Sequence, residues 1–518
     1  MINLYSNLRV KLTILFALIF YLIFNTGIHG DDYIEIFRLS TFSIKDFFSP
    51  SFNDLGIYIY SLPTYFSLYW TFVWFGLESI WVYDLIKIII HIACIYFVYS
   101  FFKDYLNKDR AFVAALIFVF IPLHDAANYW FMALSYIYVP ALLMFSHYLL
   151  SNNRYFPGIF FGLFGAFAFY TSVPIIFGLS AIFLFRRKFN LFFIYVTPGI
   201  LYAAYYLFMK FQLSALEVKI SDSLSFASYS KDVILQFLTM IEASFGPSAF
   251  LKFFYSIQEI SIFSLAIVIA LIIWKYFYVS LVGFSEPKKV DKSILFPLIL
   301  IVVFSFLVYA VTSAYLHTPF NLSNRSLIFI SIPISYLVGA MISNRKFVLM
   351  FAAIIFLLPT FGISDHWKDW NKKQQETISA IDDRDLTDLK NSTILVSGNL
   401  YSKLGSFSHI EFFSMPWTVN AIFKDRSKKH FIAFTPNISL EGGMLFDSKY
   451  QNSYQVMNNI YIYDSETDNL SSISYEQLEN ILKKDRSSVT RHWVQLFQGT
   501  FFENFILRIA PGLHYLFP

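Results

Sequence analysis

Again and again in its first 363 residues the chain runs apolar for close to the length at which a helix can cross a bilayer. That length is roughly 20 residues for about 30 Å of hydrocarbon. The runs fall near 12–28, 81–102, 111–123, 133–150, 158–171, 173–185, 190–209, 258–274, 294–312, 326–342 and 347–363. Hydrocarbon offers backbone N–H and C=O groups no partners, so each run is predicted to be a helix, giving about eleven spans. Composition points the same way. With 57% apolar and 21% aromatic residues against 14% charged, too little polar surface is left to cover a soluble chain of 518 residues. The predicted fold class is an α-helical polytopic membrane protein.

Lysine and arginine accumulate in short cytoplasmic loops, and alternate loops differ here. One set is basic: Arg9 and Lys11; Lys103, Lys108 and Arg110; Arg154; Arg186, Arg187 and Lys188; Lys275, Lys288, Lys289 and Lys292; Arg345 and Lys346. The other holds only Arg38, Lys45, Lys210, Lys219, Lys231, Lys252 and Arg325, although it contains the long loops 29–80 and 210–257. The first set and the N-terminus are therefore expected in the cytoplasm. The loops around 31–32, 124–125 and 316–325, and everything after about 362, are expected outside it. No small-residue cleavage site follows the first run, so it reads as an uncleaved anchor. The stretch 56–76 is apolar enough to span, but counting it would invert every later loop. It is expected to form interfacial helices broken at Pro63.

At about 364 the composition turns polar, which divides the chain into a transmembrane domain, 1–363, and a soluble domain, 364–518. Residues 393–396, 430–434 and 459–463 cluster branched and aromatic side chains as strands do, and 475–484 has helical periodicity. A small α/β or α+β module is predicted. The terminal run 492–517 carries too many polar residues for a further span and is expected to be an amphipathic packing or surface helix. A net charge of +4 spread between apolar runs gives no footprint for nucleic acid. A single cysteine, Cys94, leaves no disulfide within the chain. There is no Walker loop, dinucleotide-binding glycine pattern, metalloprotease histidine pair or Gly-x-Ser-x-Gly elbow.

Chemistry can be carried by four polar groups. His29-Gly30-Asp31-Asp32-Tyr33 stands at the outer end of the first span, where two adjacent acids can supply a base and the group that orients it. Asp31 is expected to be the base and Asp32 its support; capping of a following helix is the plainer role open to the pair. Asp84, Lys87 and His91, at i, i+3 and i+7, share one helical face. Lys87 there either meets a lipid phosphate, positioned by its neighbours, or is satisfied by Asp84. His124, Asp125, Asn128 and Trp130 follow Pro122 in a short outer loop, offering a further carboxylate and a sugar-stacking surface, or simple solvation. His317, Asn321, Asn324 and Arg325 form the last group, in which the guanidinium suits a phosphate, either of a substrate or of lipid headgroups.

A first span with a cytoplasmic N-terminus, two acids directly after it, a long outer loop, about ten further spans and an outer C-terminal domain resemble the GT-C superfamily of polyprenyl-phosphate-sugar glycosyltransferases. The residue-level likeness lies in Asp31-Asp32, where protein O-mannosyltransferases and the lipid A aminoarabinose transferase look similar in carrying Asp-Asp or Asp-Glu. The resemblance implies Asp31 as catalytic base, with Asp32 beside it, and Asp125 as the assisting acid of the second outer loop. It also implies inverting displacement at the anomeric carbon with polyprenyl phosphate leaving. Lys87, His91, Asp125, His317 and Arg325 are the candidates for binding substrate and lipid phosphate, and neither cofactor nor metal is implied. The expected partners are a lipid-linked sugar donor, a glycan or glycolipid acceptor such as O-antigen or other lipopolysaccharide, and the bilayer of a bacterial inner membrane. Ser61-Leu62-Pro63-Thr64 replaces the His-Pro-Pro-Leu segment of the O-mannosyltransferase branch, and the oligosaccharyltransferase Trp-Trp-Asp signature is absent, so protein acceptors are less supported. An O-antigen-type polymerase or ligase would use arginines of large outer loops and a lipid-linked glycan donor. A transporter would show broken helices in two related halves, and no such pairing is present.

Overall fold

The computed structural model describes residues 8–47, 62–212, 225–281, 289–311, 317–342, 346–383, 389, 391–427, 432–436, 438–447, 452–486, 504, 507 and 508. In chain order the helices are α1 (Leu8–Ile23), α2 (Asp31–Leu39), α3 (Leu62–Phe75), α4 (Ile80–Phe102), α5 (Lys108–Phe120), α6 (Asp125–Tyr129), α7 (Ser135–Ser151), α8 (Tyr155–Ala168) and α9 (Ser172–Phe185). They continue with α10 (Phe189–Gln212), α11 (Phe226–Phe245), α12 (Pro247–Gln258), α13 (Ile262–Leu281), α14 (Lys292–Ala310), α15 (Ile328–Met341), α16 (Lys346–Asp383), α17 (Pro416–Ser427) and α18 (Tyr475–Arg486). Every apolar run of the sequence has its helix. Among the described residues, eight helical stretches are long and apolar enough to cross a membrane, and four shorter apolar helices accompany them.

Two expectations change, and a third falls partly on residues outside those described. The first run, placed at 12–28, stops as a helix at Ile23, because Asn25 and Gly27 take positive φ values of 67° and 69° and turn the chain. Pro63 stands in the first turn of α3, where its missing N–H costs nothing, and the part of the stretch before 62 lies outside the described residues. The loop expected at 210–257 holds α11 and α12. Ser225 caps α11, accepting from the Ser228 N–H at 3.1 Å, and Pro247 opens α12 after the break at Gly246. Both helices expose apolar side chains, Phe237, Phe250 and Phe254 among them, and bury polar ones, Gln236, Thr239 and Lys252. That is amphipathicity turned outward, as a lipid-facing helix requires, and polar residues on the buried face lower the local hydropathy enough to make the segment read as loop.

The chain divides into two compact units. The larger comprises Met1–Gly27, Phe42–Pro319 and Ser323–Lys368. Its helices approach closely where side chains are small. On α8, a Cβ at Gly158 would stand 2.7 Å from Leu150, and at Gly165 3.0 Å from Leu143, while Ser146 donates to the Gly158 carbonyl at 2.7 Å. Arg110, counted above among the cytoplasmic loop charges, is fully buried and donates to the carbonyls of Gly339, Ala340 and Ile342 at 2.9–3.1 Å, so it caps the C-terminus of α15.

The smaller unit comprises Ile28–Thr41, Phe320–Leu322 and Asp369–Pro518, so it takes in the Asp31-Asp32 segment, which a division at 363 assigns to the other part. The polar change at 364 marks no linker, since α16 runs unbroken through it. Among the described residues the module's nine strands are β1 (Ser392–Ser397), β2 (Tyr401–Leu404), β3 (Phe407–Glu411), β4 (Ile432–Phe434), β5 (Ser439–Glu441), β6 (Met444–Asp447), β7 (Asn452–Gln455), β8 (Asn459–Asp464) and β9 (Asn469–Ser472). Its main sheet has the order β4-β1-β8-β9, parallel except for the antiparallel edge strand β9. β1 is buried along its first five residues, as a central parallel strand covered on both faces must be. Leu395, Phe434, Leu445, Ile460, Leu478 and Leu482 form the core, so the helical stripe of α18 closes one face. The arrangement is α/β with an added β5-β6-β7 meander. The terminal run 492–517 lies outside the described residues, apart from 504, 507 and 508.

Candidate functional site

In the smaller unit, Gly30 turns the chain with φ 46° and α2 begins at Asp31. The two acids separate at once. Asp32 is fully buried; its Oδ2 accepts from the His29 N–H at 2.9 Å while its own N–H donates to the His29 carbonyl at 2.9 Å. It closes the turn. Asp31 stays partly exposed, and its Oδ1 accepts the indole N–H of Trp417, on α17, at 2.9 Å. Behind them His29 is buried, with Gln374 Nε2 at 2.7 Å from its Nδ1 and 3.4 Å from the Ile28 carbonyl. The Gln374 amide thus links the His29 ring to the Ile28 carbonyl. The site can present one carboxylate held at one oxygen beside a second that is wholly internal.

The remaining candidates belong to the larger unit. Asp84 and Lys87 form a fully buried ion pair at 2.8 Å on α4. Asp84 accepts from the N–H groups of Asn25 and Gly27 at 2.8 and 3.0 Å, and Lys87 donates to Thr26 Oγ1, the Gly27 carbonyl and the Tyr129 carbonyl at 2.6–3.0 Å. An ammonium with these partners and no exposure is spent on internal contacts, so Lys87 holds the turn after α1 and is not presented to a lipid phosphate. His91 is likewise enclosed, its Nδ1 at 2.7 Å from the Lys87 carbonyl and its Nε2 at 3.3 Å from Asn128 Oδ1.

Asp125 is a hub. Trp367 Nε1 donates to its Oδ2 at 2.7 Å, Asn324 Nδ2 to its Oδ1 at 2.8 Å, and the Lys252 ammonium pairs with it. Lys252 reaches the carbonyls of Leu123 and Pro319 as well, and Asn324 Oδ1 accepts from the Ala126 N–H at 3.0 Å. Each of these side chains is at most 1% exposed, so the hub ties Lys252, Trp367, Pro319 and Asn324 to the start of α6 with no face left for a sugar. His317 is buried too, its Nδ1 at 2.6 Å from Ser326 Oγ, and burial lowers its pKa to about 3. Of the five residues named for substrate and phosphate binding, Arg325 alone keeps partial exposure, with its guanidinium 5.4 Å from the ring of Tyr136, whose hydroxyl bonds that of Tyr170 at 2.6 Å.

Four partners escape a reading of the sequence: Lys252, Trp367, Gln374 and Trp417. Lys252 had one local signal, a lone cation on an otherwise uncharged amphipathic helix. The others sit among ordinary polar and aromatic neighbours.

Fold and side chains together define a polytopic helical membrane protein with a small α/β domain in which an aspartate remains accessible. No family model matches the chain, and no curated protein matches it. Among solved structures it is similar to an oligosaccharyltransferase of Archaeoglobus fulgidus, in a crystal structure where an acceptor peptide with the NVT sequon is tethered by a disulfide. The identity is 10% and the TM-score 0.38, over 83% of this chain and 64% of that one, so the chain spans just under two thirds of that enzyme's length.

Proposed function

We propose that the chain is a membrane glycosyltransferase of the GT-C kind, moving a hexose from a polyprenyl-phosphate carrier to a cell-surface glycan, such as O-antigen or other lipopolysaccharide, on the periplasmic face of a bacterial inner membrane. The observation that carries this reading is the state of Asp31, a partly exposed carboxylate with one oxygen held by Trp417, next to an Asp32 consumed by its own turn. A base must keep a lone pair for the incoming proton while its geometry is fixed from behind, and Asp31 meets both conditions.

In the reaction, Asp31 takes the proton of the acceptor hydroxyl as its oxygen attacks the anomeric carbon. The carbon–oxygen bond to the carrier breaks on the opposite face, inverting the centre, and its electron pair leaves with polyprenyl phosphate. The departing phosphate calls for a cation, and Arg325, which keeps partial exposure beside the Tyr136 ring, is the candidate for that role. The test is Asp31→Asn with purified protein and a panel of polyprenyl-phosphate sugars. Transfer should fall at least about 100-fold, the order that general-base catalysis contributes, with insertion and melting unchanged. Transfer at the native rate would remove Asp31 from the mechanism.

A further inference from the structure

The small domain carries a concave feature whose lining includes neither Asp31 nor Asp32. Gly442 and Gly443 form the two-residue turn between β5 and β6, both with positive φ, 58° and 82°, the pattern of a type I′ hairpin. A Cβ on either would meet nothing within 4 Å, so the turn leaves open space beside it. That space is a cavity of about 480 Å³, inside the roughly 300–1,000 Å³ range of small-ligand sites.

Its floor is Val456, Ile460 and Ile473, all part of or packed on the domain's core, so the shape is set by the fold itself. Its rim is different in kind. Met444 and Tyr475 are 37% and 43% exposed and offer apolar faces, while Gln455 and Asn458 offer primary amides that, among the described residues, make no hydrogen bond within the protein. Among the described residues, no Asp, Glu, Lys or Arg lines the cavity. A phosphate or a carboxylate would find no cation there, and an ammonium no anion. An uncharged molecule rich in hydroxyls fits every element. Each amide both donates and accepts, as vicinal hydroxyls do, and the tyrosine ring and thioether can cover the C–H face of a pyranose.

We infer that this cavity binds a neutral oligosaccharide and serves as a docking subsite for the acceptor glycan. The assignment to an acceptor rests on the glycosyltransferase reading; the binding itself does not.

The experiment titrates the full-length protein in nanodiscs, free of glycosidic detergents, with maltotriose, mannotriose, galactotriose and triacetylchitotriose, read by saturation-transfer NMR and calorimetry. At least one should bind, with Tyr475→Ala weakening it about tenfold, or ~1.4 kcal/mol, and Asn458→Ala weakening it to a similar degree. Asp31→Asn should bind as the native chain does while losing transfer, which separates this site from the chemistry. Both substitutions lie on the exposed rim, and unchanged melting confirms that each variant folds. The inference is overturned if none of the four sugars binds, if both rim variants bind as the native protein does, or if an uncharged peptide competes the sugar away.

Discussion

Replacing Asp125 with alanine asks whether that carboxylate is a substrate ligand or an internal tie. Its oxygens serve the Trp367 indole at 2.7 Å, the Asn324 amide at 2.8 Å and the Lys252 ammonium, all buried. Alanine leaves Lys252 with carbonyls alone, and removing one partner of a buried ion pair costs about 3–5 kcal/mol. Each stranded neutral donor adds about 1–3 kcal/mol before relaxation, so the loss reaches a third or more of a typical total of roughly 5–15 kcal/mol. Asp125→Asn keeps an acceptor for Trp367 but leaves the ammonium uncompensated, and should also destabilise. Combining it with Lys252→Met removes the charge that had lost its partner, so the double variant should recover much of what the single one loses. Thermal and denaturant unfolding of the solubilised chain, followed by tryptophan fluorescence, reads these variants and Lys252→Met alone. Single variants within ~1 kcal/mol of the native protein would refute the hub. So would a double variant no better than the sum of the singles, or an Asp125→Asn chain that melts normally yet has lost transfer.

Lys87→Met strands the Asp84 carboxylate and should cost about 3–5 kcal/mol in the same unfolding assay, whereas a lysine serving only an external phosphate would leave stability unchanged. Trp417→Phe removes the N–H held by Asp31 at 2.9 Å and should lower kcat for transfer about tenfold, or ~1.4 kcal/mol, with the acceptor KM unchanged; a change confined to KM would place Trp417 on the substrate. For His317, burial lowers the folded-state pKa from 6.5 to about 3, so between those values the unfolded chain binds the extra proton. Stability contributed by the neutral ring is therefore complete above pH 6.5 and falls as pH drops, by at most about 1.4 kcal/mol per unit. His317→Asn should flatten that part of the pH–stability curve, and an unaltered slope would contradict it.

Legibility follows the range of the interactions. Strands β1 and β8 and helix α18 stand where branched residues and a helical stripe announced them, because both patterns are local. The carbonyl-capping role of Arg110 was hidden by the same rule that oriented the chain, since a charge count cannot tell a loop cation from one folded back onto a helix end 229 residues away. At α11 and α12 an average over sequence mixed a lipid face with a buried polar one. Asp84 and Lys87 could be paired from their spacing, but their grip on residues 25–27 could not.

What the sequence determined by itself is the solvent. Uninterrupted apolar stretches fix a membrane-spanning helical chain and a polar module after it, because transfer into hydrocarbon depends on each segment's own composition. What the tertiary structure alone decided is which polar side chains remain to act. Lys252 meets Asp125 across 127 positions, and Trp417 meets Asp31 across 386, so one acid is enclosed and the other left accessible. A buried charge must find its partner wherever the fold brings one, and no local pattern records where that will be.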